Sequence, residues 1–300
     1  MNMPLPNLVK APISHSNTTE FMSRERSIGT ILVEAGKLSV EEAELILQEQ
    51  KVKGMKFGEA AIRLGLLTEA DIEQAISRQF NYPYLQTGDT SVSQDLVAAF
   101  NPHHKTVEQL RALRSQLILR WFDGDVSRKI LTIVSPARCE GRSYLAANLA
   151  IVFSQLGERT LLIDANLRNP SQHHFFKLNN RTGLTNILSG RAGSEAIVRI
   201  PGLLDLSVLP SGTLPPNPLE LLGQPLYLKL LEEASIVFDA VIIDTPAALI
   251  AADAQMTAAR AGATLMVTRK NYSLTADIEK TIAMLSTAKV NVIGAVINEF

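Results

Sequence analysis

The sequence predicts an α/β fold: a mostly parallel sheet with helices on both faces, preceded by a small, mainly helical tandem-repeat domain. Three observations lead there. From Lys129 onward, short apolar runs alternate with helical segments, the pattern of a parallel sheet buried on both sides. The first of these runs joins its helix through a loop of small and polar residues, Ser135 to Ser143. Upstream, residues 27–50 are matched without gaps by residues 56–79, and such a period marks stacked supersecondary units.

The chain of 300 residues divides by composition into a tail (1–24), a repeat domain (25–86), a linker (87–105) and a larger domain (106–300). The tail is rich in Pro, Asn and Ser without periodicity, as flexible segments are. Apolar residues make up 46% and charged residues 20%, ample for a sizeable core. A formal net charge of −1 gives no reason to expect nucleic acid or an anionic membrane as partner. One cysteine, Cys139, excludes an internal disulfide and points to a reducing compartment. There is no run of about 18 apolar residues and no leader pattern, so the expectation is a cytoplasmic chain without direct membrane insertion.

Each repeat reads as two short helices. In the first copy, Ile28, Ile31 and Leu32 recur at helical spacing and Gly36 follows as a C-cap. The second helix opens on a capping pair, Ser39 with Glu42 in one copy and Thr68 with Asp71 in the other. Gly29 matches Gly58, Gly36 matches Gly65, Leu47 matches Ile76, and Gln50 matches Gln79. The linker mixes turn formers with a short apolar patch. The helix that follows places Glu108, Arg111 and Arg114 on one face and Leu110, Leu113, Leu117 and Ile118 on another. By pattern alone it is equally a solvated amphipathic helix.

Strands are expected at Ile130–Val134, Thr160–Ile163, Leu206–Leu209, Ala240–Ile243, Ala263–Thr268 and Val290–Ile297, with helices at 143–156, 182–189, 218–236, 250–260 and 274–287. Ligands of such sheets bind beyond the carboxyl ends of the strands. Three of those ends carry chemistry. The loop after the first strand reads Pro136-x-x-x-x-Gly141-Arg142-Ser143. It keeps the second Gly and the hydroxyl of the phosphate-loop pattern but not its first Gly or its Lys. Backbone N–H groups and a helix N-terminus would cradle phosphate there; a plain strand–turn–helix connection fits the loop alone as well. Two other strands end on carboxylates, Asp164 and Asp244. A carboxylate beside a phosphate loop can hold Mg²⁺ or position an attacking group.

These motifs resemble two families. Residues 106–300 resemble the bacterial tyrosine kinases (BY-kinases), a MinD-like P-loop branch tied to capsule and exopolysaccharide export. Their loop is of the type S-A-T-P-G-E-G-K-S, followed by D-x-D-x-R and a strand ending I-I-D-T-P. Their E-x-x-R-x-x-R helix, matched here by Glu108, Arg111 and Arg114, packs subunits into a ring, which implies a homo-oligomer. The resemblance implies ATP and Mg²⁺ as cofactors. Nucleotide would lie on Ala137, Arg138, Cys139, Glu140, Gly141, Arg142, Ser143, Tyr144 and Asn298, and metal on Ser143, Asp164 and Asp244. Asp164 and Arg142 would be catalytic, Asp164 by activating the attacking hydroxyl or water. Residues 27–85, through Tyr82-Pro83-Tyr84-Leu85, resemble the N-terminal domain of MshE-type secretion ATPases, whose tandem motif binds cyclic di-GMP. That likeness implies a dinucleotide site at Arg26, Ile28, Gly29, Lys56, Phe57 and Gly58, or else a helical interaction module whose glycines only cap and turn. Together the domains resemble the EpsG-type chain-length determinant kinases. These act with a Wzz-like membrane co-polymerase, which implies recruitment to the inner face of the cytoplasmic membrane.

The departures are as informative. Arg142 stands in place of the family's Lys, Cys139 in place of a loop Gly, and Asn166 in place of the second acid of D-x-D. Between Asn298 and Phe300 there is no tyrosine cluster, so tail autophosphorylation is not expected. Two readings follow: an ATP- and Mg²⁺-dependent tyrosine kinase or ATPase, and a regulatory scaffold with a weakened nucleotide site. A MinD/ParA-like positioning ATPase is disfavoured because the loop lacks a second lysine.

Overall fold

The computed structural model describes residues 28–34, 36–69, 71, 72, 75, 84–86, 88–122, 125, 128–203 and 205–300. The expected tail, Arg26, and the repeat positions Ile76, Gln79 and Tyr82 lie outside them. The described residues form two compact units, one within 28–86 and one within 88–300.

In the first unit, helices span Ile28–Glu34, Val40–Lys53 and Phe57–Arg63. The two copies share their local geometry. Gly36 and Gly65 sit at φ 68° and 69°, a left-handed conformation glycine adopts without a Cβ penalty. Ser39 and Glu42 close a reciprocal capping box at 2.7 and 3.1 Å, and Thr68 with Asp71 does the same at 3.1 and 3.3 Å. Ile31, Leu32, Leu38, Ile46, Ala60, Ala61, Leu67 and Ala75 form the core.

The second unit is built on a seven-stranded sheet of order β3-β4-β2-β5-β1-β6-β7. The strands are β1 (Ile130–Val134), β2 (Thr160–Asp164), β3 (Val198–Arg199), β4 (Leu206–Leu209), β5 (Ala240–Asp244), β6 (Ala263–Arg269) and β7 (Asn291–Asn298). Every pair is parallel except the edge pair β3–β4. The central strands ILTIV, TLLID and AVIID are buried at every position, which is why they read as unbroken apolar runs rather than alternating ones. β1 lies between β5 and β6, so the chain leaves it first to one side and later to the other, and its carboxyl end opens at the switch point.

Helix Arg142–Ser154 is buried along nearly its whole length, because it lies against β1, β2 and β5 on one side and helix Lys105–Arg120 on the other. The indole Nε1 of Trp121 donates to the Ile130 carbonyl at 3.0 Å, tying the end of helix 105–120 to the start of β1.

Two expectations are corrected and one strand is added. The stretch read as a linker is packed: Val92, Leu96, Ala98 and Ala99 are fully buried, and Val97–Phe100 is helical. Ala98 donates to Asn148 Oδ1 at 3.0 Å and accepts from Gln155 Nε2 at 2.8 Å, so its apolar patch is core and its backbone is satisfied. The single helix expected over 218–236 is two, Pro218–Gly223 and Pro225–Val237. Pro225 cannot donate, and it drives Gln224 to ψ 148°. The two-residue strand β3 had no alternation long enough to be seen.

Candidate functional site

The loop leaves β1 at Ser135 and enters helix 142–154 through two left-handed residues, Cys139 (φ 59°) and Gly141 (φ 83°). A Cβ on Gly141 would stand 2.4 Å from Asn298 Nδ2, so only glycine fits. Cys139 occupies a backbone conformation that suits the family's glycine better. Glu140 turns inward and is 1% exposed. Its carboxylate accepts from the Ala137 N–H at 2.7 Å and from the Ser273 hydroxyl. Asn298 Nδ2 donates to the Glu140 carbonyl at 2.8 Å, and Arg269 Nη1 donates to the Cys139 carbonyl at 3.3 Å. The ends of β6 and β7 thus fasten the loop.

Beneath the loop, Asp164 and Asp244 are register partners on β2 and β5, both fully buried. Asp164 Oδ1 accepts from Asn166 N at 3.2 Å, and Oδ2 accepts from Ser171 N at 3.0 Å and Gln172 N at 2.9 Å. Burial first, and the neighbouring Asp244 charge second, push the Asp164 carboxyl up to about 8, against the opposing pull of those N–H groups. Arg142 lies back across the strand ends. Its Nη1 donates to Ser135 Oγ at 2.6 Å and its Nε approaches Asp244 Oδ1 at 3.4 Å. Gln172 Nε2 donates to the other Asp244 oxygen at 2.8 Å and to the Ser143 carbonyl at 3.1 Å.

Around this floor, Asn166 folds onto its own turn, exchanging hydrogen bonds with Asn169 at 2.7 and 3.2 Å. Arg168 grips the fully buried Asp253 with two bonds, at 2.7 and 3.0 Å. Tyr144 stacks edge-on against Phe175, centroids 6.5 Å apart, and its phenol is pushed up by burial and then by the Asp95 charge. A cleft of about 280 Å³ opens above Arg138–Tyr144, walled by Asn166, Arg168 and Pro246. A second, about 1030 Å³, lies between the start of helix 105–120 and the end of β7, and shares Cys139, Gly141 and Tyr144 with the first.

The loop residues 138–144 therefore line one cleft, and Asn298 meets them from β7. Ala137 is held by Glu140 instead. Asp164, Asp244 and the Ser143 carbonyl meet around Gln172. Among the described residues no group of three or more His, Cys, Asp or Glu side chains is placed to hold a metal. The set Glu108, Arg111 and Arg114 divides. Glu108 and Arg111 pair with each other, whereas Arg114 is buried and donates to the Val152 carbonyl, so it does not project as an interface residue. In the first unit, Lys56 is exposed, Ile28, Gly29 and Phe57 are half-buried, and a Cβ on Gly58 would stand 3.0 Å from Ile72. Ser135, Gln172, Arg269 and Ser273 were not foreseen as site residues. Only Ser135 had a signal, as the residue that opens the loop motif.

A parallel sheet whose first strand feeds a left-handed glycine and a helix N-terminus, with carboxylates ending two neighbouring strands, is a P-loop nucleotide-binding fold. No family model matches the chain. Individual proteins do. It is 36% identical over 207 residues to the tyrosine-protein kinase YwqD of Bacillus subtilis, covering 69% of this chain and 86% of that one. It is 36% identical over 205 residues to the putative tyrosine-protein kinase EpsB of Ralstonia solanacearum, covering 68% of this chain but 27% of that protein. The kinase domain of the Escherichia coli tyrosine kinase ETK superposes with a TM-score of 0.66 at 31% identity, over 73% of this chain and 85% of that one. The chain belongs to the bacterial tyrosine-protein kinase family.

Proposed function

We propose that the chain binds ATP in the cleft over residues 138–144 and works in capsule or exopolysaccharide production, holding nucleotide more effectively than it turns it over. The observation that carries this is the use already made of Arg142, whose guanidinium is committed to Ser135 and Asp244. A nucleotide fits the residues present. The left-handed loop and the helix N-terminus favour phosphate, Arg138 and Arg168 line the cleft, and the adjoining cavity is walled largely by apolar side chains. Magnesium does not fit them as arranged: a cation, Arg142, already lies on one Asp244 oxygen, Gln172 donates to the other, and three backbone N–H groups surround the Asp164 carboxyl. The place in polysaccharide assembly, as partner of a Wzz-like co-polymerase at the inner face of the cytoplasmic membrane, rests on the family motifs. Among the described residues, no helix is long and apolar enough to cross a membrane.

Binding and turnover of ATP measured on one preparation test this reading. Binding should be clear, and turnover should fall at least about 100-fold below the ~1–100 s⁻¹ usual for kinases, with Ser143→Ala and Asp244→Ala as controls. Turnover within that range, sensitive to both substitutions, refutes the weakened site.

A second reading, a competent tyrosine kinase or ATPase with Asp164 as base, is favoured by the raised carboxyl, since a base near pH 7 suits proton transfer. Phosphotyrosine on a Glu-Tyr copolymer, lost in Asp164→Asn, would support it. Its absence from the wild type rejects it. The proposal also gives the first unit the sensing of cyclic di-GMP, supported by two copies of one capped turn at Gly36 and Gly65. Calorimetric titration of the full chain decides this, and no heat at high micromolar ligand rejects it.

A further inference from the structure

We infer that Arg142 stands in for the divalent cation of this site, so that the chain binds nucleotide diphosphate as tightly without magnesium as with it. The inference rests on the nucleotide-binding reading above.

In a P-loop site the metal links a strand-end carboxylate to the phosphates and offsets charge between them. Here the strand-end carboxylate is Asp244, and a cation is already on it. Arg142 Nε lies 3.4 Å from Oδ1, and the same guanidinium is anchored by Ser135 Oγ at 2.6 Å. Gln172 occupies Oδ2 at 2.8 Å and holds the Ser143 carbonyl with the same amide nitrogen. Asp244 is fully buried and Arg142 only 8% exposed. Removing the guanidinium would leave the buried Asp244 carboxylate unpaired, and breaking a buried pair from one side is strongly unfavourable.

Arginine can do what lysine cannot. A guanidinium has five N–H donors in a planar fork. Ser135 and Asp244 engage two of them. The others are compatible with phosphate oxygens while the pair to Asp244 stays intact. Arg142 is the first residue of its helix, directly after the left-handed Gly141 that shapes the loop, so its stem starts where the phosphates would lie. A lysine ammonium is a point charge without that fork. It would contact phosphate or Asp244, leaving room at the carboxylate for a metal.

The test is a fluorescence titration of the full chain with N-methylanthraniloyl-ADP, in excess magnesium chloride and in EDTA. The wild type should give dissociation constants within about threefold of each other, a difference under 1 kcal/mol. Arg142→Lys should bind at least about tenfold more tightly with magnesium than with EDTA. Circular dichroism checks that the variant is folded, and the wild-type comparison stands without it. A wild-type affinity that drops tenfold or more in EDTA overturns the inference and leaves the nucleotide reading intact. Magnesium-independent binding by Arg142→Lys as well overturns the role of the arginine. No binding under either condition overturns the nucleotide reading, and the inference with it. Mn²⁺ titration followed by electron paramagnetic resonance gives a second readout: the wild-type ADP complex should bind no more Mn²⁺ than ADP alone, and tighter binding overturns the inference.

Discussion

Substituting Asp164 by Asn should stabilise the protein at pH 8 relative to wild type by clearly more than it does at pH 5. The Asp164 carboxyl has a folded-state pKa near 8 against an ordinary 3.8, because it is fully buried and faces Asp244. The folded state therefore holds this proton more tightly than the unfolded chain does. Its contribution to stability is fully present below about pH 4 and is lost as pH rises through about 8. About three units of that shift fall between pH 5 and pH 8, and at about 1.4 kcal/mol each they set a ceiling of roughly 4 kcal/mol. Relaxation and entering water reduce such penalties in real interiors, and about 2 kcal/mol is the working figure. Asparagine cannot ionise. It also offers an amide donor where Ser171 N and Gln172 N need an acceptor, a loss of about 1–3 kcal/mol that does not change with pH. Thermal unfolding in EDTA at pH 5 and pH 8 reads the difference directly. The gap between variant and wild type should move in the variant's favour by about 4–8 °C from pH 5 to pH 8, at roughly 2–4 °C per kcal/mol. Titrations of groups away from this buried pair cancel in the comparison. A gap that stays constant across this range would refute the raised carboxyl.

Further outcomes follow from single contacts. Gly141→Ala places a Cβ 2.4 Å from Asn298 Nδ2 at φ 83°, and should cost about 1–3 kcal/mol in urea unfolding together with the loss of nucleotide binding. Arg168→Met leaves the fully buried Asp253 without its two charged bonds. Because Arg168 is itself 38% exposed, the loss should be about 2–3 kcal/mol, below the 3–5 of a fully buried pair; an unchanged urea midpoint would show the pair to be idle. Leu96→Ala should cost about 2–5 kcal/mol in the unfolding of the sheet unit, whereas a true linker residue would cost nothing measurable.

The sheet was legible because its central strands are buried on both faces, and unbroken runs such as Leu161-Leu162-Ile163 can be little else in an α/β chain. The loop was legible because a left-handed turn before a helix leaves a mark in Gly141. What fastens the loop was not. Glu140 meets Ser273 at a sequence separation of 133, and Gln172 meets Asp244 at 72. Ordinary Ser and Gln residues carry no local periodicity that announces such partners. The packed segment 88–104 was hidden for another reason. Its turn formers Thr90, Ser91 and Ser93 give the composition of a loop, while four buried apolar side chains decide where it lies. Arg114 fitted a surface pattern by spacing, but spacing places a residue on a helix face and not in or out of a core. The second helix layer at 142–154 determined that.

Two departures from the family pattern, Arg142 and Asn166, turn out to be parts of one electrostatic arrangement. The pattern combines a loop lysine with acids at three positions, a set that leaves negative charge for a metal to balance. In this chain the position of one acid is Asn166, which spends its amide on Asn169 and brings no charge. The loop cation has become a guanidinium, long enough to lie on Asp244 and hold Ser135 at once. Each change weakens the field that would draw a divalent ion, one by deleting an anion and the other by pairing one. Arginine for lysine leaves the charge of the loop unchanged, so the one anion lost at Asn166 is the net difference, in a low-dielectric interior where an unpaired charge is costly. Made together they leave a site whose own residues supply the balancing charge. The loop thus differs from the family pattern at Arg142 while the sheet order, the left-handed turn at Gly141 and the two buried carboxyl groups stand around it.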